Sequence, residues 1–115
     1  MKFKDNVIPS VKIRFSANNG FFGPGVCRLL QLIDEKGSIQ EACDEMELSY
    51  SKGRKMINKL QKECDFIVVE KKSGGINGGS TTLTNEGREL VNKYLKMRDK
   101  LQMEVDQLFK EYFGE

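Results

Sequence analysis

Ser49-Tyr50-Ser51-Lys52-Gly53-Arg54-Lys55-Met56-Ile57-Asn58-Lys59-Leu60-Gln61-Lys62, followed by Gly74-Gly75-Ile76-Asn77-Gly78-Gly79, is the stretch whose reading decides the fold of this 115-residue chain. At helical period, Gly53, Met56, Ile57, Leu60 and Cys64 fall on one face and Ser51, Lys52, Lys55, Asn58, Lys59 and Lys62 on the other. The first face is built to bury and the second is not. The window carries Lys52, Arg54, Lys55, Lys59 and Lys62 without an acid, so positive charge is concentrated where a groove-binding helix needs it. Ser49 is the expected N-cap.

Upstream of the basic helix the charge reverses, with Asp34, Glu35, Glu41, Asp44, Glu45 and Glu47 opposed only by Lys36. Ser38-Ile39-Gln40-Glu41 matches a capping box and opens a helix carrying Ile39, Ala42, Cys43 and Met46 on one side. Glu47-Leu48-Ser49 then makes a short connection, so the two helices spell helix-turn-helix. Before them, Val26, Leu29, Leu30, Leu32 and Ile33 recur at helical spacing between the Gly23-Pro24-Gly25 break and Gly37, which suits a left-handed C-terminal position. Val11-Lys12-Ile13-Arg14-Phe15 alternates apolar and basic side chains ahead of Asn18-Asn19-Gly20 and Phe21-Phe22, the pattern of a short hairpin.

Downstream, the β-branched run Asp65-Phe66-Ile67-Val68-Val69-Glu70-Lys71 reads as a strand and Thr81-Thr82-Leu83 as its partner, with the residues from Lys72 to Ser80 between them as a wing. No Gly-Lys-Ser/Thr follows the glycines, which separates this loop from a nucleotide-binding one. Thr84-Asn85-Glu86 caps a last helix expected to run to Tyr112. Leu90, Tyr94, Met97, Leu101, Val105, Leu108 and Tyr112 lie on or near one stripe of it, and so long a helix on so small a body points to pairing with a second chain.

The expected fold is mainly α with a small β-hairpin wing: one winged helix-turn-helix domain, with a head over 10–84 and a dimerisation helix over 85–113. A 31% charged fraction and the lack of an apolar run near the ~20 residues of a membrane span suit a cytoplasmic protein without a secretory signal. No histidine is present, which removes the commonest general base and any mixed cysteine–histidine zinc site. Cys27, Cys43 and Cys64 are too widely spaced for a C-x-x-C pair and read as buried small hydrophobes. The acids Asp34, Glu35, Asp44 and Glu45 read as exposed, solubilising side chains rather than catalytic or metal-binding ones. The expectation is a non-enzyme with no cofactor and no metal.

The chemistry expected instead is duplex DNA binding. Ser49, Tyr50, Ser51, Lys52 and Arg54, near the start of the basic helix over 49–64, are placed to meet base edges, and Lys55, Asn58 and Lys59 to meet bases or backbone. Arg54 is the leading candidate for a bidentate contact to guanine. In the wing over 71–81, Lys71 and Lys72 add charge, Ser73, Ser80 and Thr81 add hydroxyls, and Gly75, Asn77 and Gly78 let backbone amides approach a phosphate. Two alternatives remain open at this stage: a protein-interaction module docked through the last helix, and a thiol-responsive regulator switched at a cysteine.

The order of these segments resembles the DNA-binding head of the ModE-type molybdate-responsive regulators, which is related to the LysR-type heads. The matching residues are Leu29-Leu30, Ile33-Asp34-Glu35-Lys36-Gly37-Ser38-Ile39, Ala42, Leu48-Ser49-Tyr50, Val69-Glu70-Lys71, Gly74-Gly75, Gly78-Gly79 and Leu83-Thr84-Asn85-Glu86-Gly87. The resemblance implies a transcription factor that acts as a homodimer on a palindromic operator. It does not imply molybdate sensing, which in the family lies in further C-terminal domains. Gly53 and Arg54 depart from the family pattern of a small residue followed by an aromatic.

Overall fold

The computed structural model describes residues 1–74 and 79–114. In chain order they form β1 (Phe15–Ser16), β2 (Gly20–Phe22), α1 (Pro24–Lys36), α2 (Ile39–Glu45), α3 (Tyr50–Lys62), β3 (Val69–Lys72), β4 (Ser80–Leu83) and α4 (Asn85–Phe113). The strands pair antiparallel as two separate hairpins, β1 with β2 and β3 with β4.

The central wall is α1, which buries Cys27, Leu29, Leu30, Leu32 and Ile33. Pro24 stands at its first turn, where a missing amide costs nothing, so the Gly-Pro-Gly break opens the helix rather than preceding it. Gly37 ends it at φ 72°, donating its amide to the Ile33 carbonyl at 2.8 Å and accepting the Thr81 amide at 2.9 Å. The end of α1 is thereby tied to β4.

The Ser38 hydroxyl accepts the Glu41 amide at the start of α2, whose Ile39, Ala42 and Cys43 are buried. Glu47, at φ 56°, turns the chain into α3. Gly53, Ile57 and Leu60 face inward from α3, and a Cβ on Gly53 would overlap the Cys43 sulfur. The two helices therefore touch where only a hydrogen fits between them.

The strand expected over Asp65–Lys71 is shorter than its composition suggests, beginning at Val69. The reason is Gln61. Its side-chain amide donates to the Phe66 carbonyl at 2.7 Å and accepts from the Val68 amide at 3.0 Å, so a helix side chain takes the place of a neighbouring strand. The Val68 carbonyl accepts both the amide and the hydroxyl of Thr84, which also caps α4 through the Gly87 amide. A second glutamine repeats the arrangement at the N-terminus: Gln102 donates to the Pro9 carbonyl at 3.0 Å and accepts from the Val11 amide at 3.2 Å. The expected alternation over Val11–Phe15 holds in burial, yet only Phe15 lies in a strand, because the Val11 amide and the Ile13 carbonyl are bonded to α4 instead.

α4 has 29 residues, roughly 44 Å at about 1.5 Å each. This helix accounts for most of the 61 Å long axis. The N-terminal segment runs antiparallel along it. Ile13 meets the Tyr94 hydroxyl at 2.9 Å, Pro9 and Val11 meet Gln102, and the Phe3 ring lies 6.4 Å from Phe109 and 5.7 Å from Phe113. Part of the apolar length expected to need a second chain is thus covered from within. Tyr94 is 2% exposed, edge-on to Phe22 and Phe15, and Leu90 packs against the same core. Both point into the chain's own core rather than outward.

Asp34 also departs from expectation, since it is more than a solvated acid. One of its oxygens accepts the Leu83 amide at 3.1 Å and Arg88 Nη2 at 2.9 Å, and the other accepts Arg88 Nε at 2.9 Å. This carboxylate joins α1, β4 and α4. The Arg88 hydrogen bonds hold its pKa below the ordinary carboxylate range, helped by the Leu83 amide.

Gly53→Ala should lower stability. Overpacking costs about 1–3 kcal/mol, against at most ~1 kcal/mol of improved helix propensity. Cys43→Ala should recover most of the loss in the double variant, and urea denaturation reads this non-additivity; simple addition of the two losses would show that the helices do not meet there. For Asp34 the depressed pKa means its stabilisation is complete above the unfolded-state value and lost as pH falls through the folded one. Asp34→Asn should melt below wild type at neutral pH, with the gap closing in acid. A gap that stays constant down to low pH would contradict the pairing.

Candidate nucleic-acid interface

Ser49 caps α3 by accepting the Lys52 amide at 3.2 Å, so its hydroxyl is engaged at the helix N-terminus. Beyond it, Tyr50, Ser51, Lys52, Lys55, Asn58 and Lys59 are exposed, while Arg54 is half-buried on the flank. Ile57 and Leu60, buried against the rest of the fold, fix the rotation of α3 and so determine that these side chains point outward. Lys52, Arg54, Lys55, Lys59 and Lys62 form no ion pair among the described residues. Their charge is therefore available to a partner. The acids of α2 lie apart, with Glu45 3.9 Å from Lys36 and Asp44 bonded to Gln40.

The β3–β4 hairpin brings Lys71 opposite Thr81 and Lys72 opposite Ser80. Lys71, Lys72, Ser73 and Ser80 are exposed, and Thr81 is half-buried where its amide meets Gly37. Gly75, Asn77 and Gly78, the expected tip contacts, lie outside the described residues. The base of the hairpin is held at both ends, by Gly37 through Thr81 and by Asp34 through Leu83. Sequence reasoning missed both anchors, because each joins residues far apart in the chain.

Among the apolar residues expected on the pairing stripe of α4, Met97 is 45% exposed, Leu108 50% and Tyr112 77%, with Leu101 and Val105 half-buried between them; Met103 and Phe113 are exposed on the same helix. No helix among the described residues is long and apolar enough to cross a membrane, and no group of three potential ligands there could hold a metal ion.

Cys27 and Cys43 are buried and Cys64 is half-buried. Burial raises all three thiol pKa values, with Asp65 and Glu63 adding to the effect at Cys64. Thiolates are the reactive form, so a water-soluble maleimide should reach Cys64 first and slowly in the native protein, faster as pH rises, and the other two only on unfolding. Rapid native labelling of Cys27 or Cys43 would contradict this packing.

No family model matches the chain. Curated relatives do. The chain is 33% identical over 81 residues to the molybdenum transport protein ModE of Azotobacter vinelandii, covering 70% of this chain and 30% of that protein. It is 32% identical over 74 residues to the DNA-binding transcriptional dual regulator ModE of Escherichia coli K12, covering 64% and 28%. The transcriptional regulator ModE of Haemophilus influenzae matches at 32% over 74 residues, covering 64% and 29%. The chain thus spans about three tenths of the length of these relatives. Over the 64–70% of its length that matches, the chain is similar to these ModE proteins, and the Escherichia coli and Haemophilus influenzae ones are transcriptional regulators, not enzymes.

Proposed function

We propose that this chain is a DNA-binding transcriptional regulator with a winged helix-turn-helix head over 10–84, in which α3 enters the major groove and the β3–β4 hairpin is the wing. The observation that carries the reading is the outward face of α3, a run of unpaired cations on a helix whose inner face is locked into the core. The ModE relatives support it, one of them named as a DNA-binding regulator.

Binding of this kind needs no bond-making. Lysines neutralise phosphates and release counterions, which supplies affinity, and side chains near the start of α3 compare base edges. Ser51, Lys52 and Lys55 occupy the stripe nearest the groove floor in this docking, and Lys71, Lys72, Ser73 and Ser80 take the backbone beside it. Arg54 reaches bases from the flank of the helix.

The regulator works as a cytoplasmic homodimer on a palindromic operator, without a cofactor. Met97, Leu101, Val105, Leu108 and Tyr112, on the length of α4 that projects from the head, support pairing of two copies there. Leu90 and Tyr94 contribute by fixing α4 to its own head. Each head then presents one α3 to one half-site.

The test is selection of bound duplexes from a random pool across a salt series. A palindrome with half-sites about one helical turn apart should be enriched, and log affinity should fall steeply and linearly with log salt. Arg54→Ala should reduce discrimination between the selected and random duplexes by about 1–3 kcal/mol while changing random-duplex affinity less. Equal losses on both would make Arg54 a phosphate contact, and no retention at low salt would reject DNA binding.

A further inference from the structure

Between the N-terminal hairpin, the first turn of α1 and the edge of α3 lies a cavity of about 240 Å³. Phe22, Val26 and Met56 supply apolar wall, and the charged lining consists of Arg14 and Lys59, with no carboxylate. The Arg14 side chain is laid along the hairpin backbone. A Cβ on Gly23 would stand 3.3 Å from its Cγ and 3.9 Å from its Nε, and one on Gly20 would stand 4.0 Å from Nη1. Only the aliphatic stem of Arg14 passes close enough to Gly23 to favour a glycine there, and the exposed side chain lies over the hairpin without an ion pair among the described residues. Among the described residues neither Arg14 nor Lys59 has an acidic partner.

Two cations from separate elements lining one cavity repel each other, and an anion seated between them turns that cost into attraction. The charged lining, two cations and no carboxylate, suits an oxyanion. The first turn of α1 adds to the same place, since it carries no acidic side chain and its N-cap, Gly23, has no side chain to occupy the free amides. Lys59 also belongs to the exposed basic face of α3, which joins the cavity to the surface that meets DNA.

We infer that this cavity holds one backbone phosphate of the bound duplex, clamped between Arg14 and Lys59, and that the N-terminal hairpin is a DNA-contacting arm. The inference rests on the DNA-binding reading above. A clamp of this kind reads no bases; it fixes the register of the head on the duplex, so that α3 meets the groove in one position.

Phosphate-ethylation interference on a selected duplex tests it, with thermal melting of each variant to establish folding. Arg14→Gln and Lys59→Gln should each weaken binding about tenfold, and both should abolish interference at the same single phosphate while leaving the other positions intact. Arg14→Lys should retain that position. The double variant should lose little more than either single one. An unchanged interference map, or loss at two different phosphates, overturns the shared clamp even though the protein binds DNA. Absence of wild-type binding at low salt instead rejects the DNA reading as a whole, and this contact with it. Melting of the DNA-free protein in inorganic phosphate against chloride at equal ionic strength separates the two phosphate sources. A phosphate-specific gain removed by Arg14→Gln, together with an unchanged map, would assign the cavity to free phosphate and overturn the DNA contact.

Discussion

Gly53 lets the sulfur of Cys43 rest against the backbone of α3, and this contact fixes how closely α2 and α3 can approach. A helix pinned at that point by Gly53, and further along by Ile57 and Leu60, cannot rotate without exposing its apolar side. The positions from which its lysines project outward are therefore fixed. The choice of glycine at position 53 is intelligible on the same ground. A sulfur on α2 takes the space that a methyl group on α3 would need, and the weaker helix propensity of glycine, up to ~1 kcal/mol, is offset by that packing.

The rest of the fold hangs on a few polar junctions that replace sheet structure. Gln61 and Gln102 each bond a carbonyl and the amide two residues on, imitating a strand partner for a segment that has none. Asp34 joins α1, β4 and α4, and Thr84 caps α4 while bonding the carbonyls of Ile67 and Val68. Surface ion pairs contribute little by themselves. Asp34 matters more because it also satisfies the Leu83 amide, which seats the hairpin against α1. The position of that hairpin relative to α3 is consequently set by backbone contacts and not by its exposed lysines.

These junctions also mark where the sequence could and could not be read. Ser38, Ser49 and Thr84 announce their helices because a cap bonds an amide three residues away, within reach of local inspection. The Gly37 end of α1 and the two faces of α3 are legible from equally local signals. Gln61 and Gln102 carry no such mark, since their partners are chosen by tertiary packing. Tyr94 shares a helical stripe with Met97 and Leu108, and only the arrival of Phe15 and Phe22 turns it into core. Asp34 looks like its neighbour Glu35 until Arg88, from α4, reaches it. Of the proposed interface, the charge of α3 is readable from composition, whereas Arg14 is not, because its relation to Lys59 exists only after the N-terminal hairpin folds against α1 and α3.

Segregation of charge gives the molecule a polarity suited to one-sided docking, with cations on α3 and the β3–β4 hairpin and acids on α2. Amide chemical-shift mapping during titration with a selected duplex tests this account most directly. It predicts shifts concentrated in Ser49–Lys62 and in Lys71–Ser73 with Ser80 and Thr81, and an undisturbed projecting half of α4. Shifts centred on Met97–Tyr112, with α3 unaffected, would contradict it and make the long helix the docking surface instead.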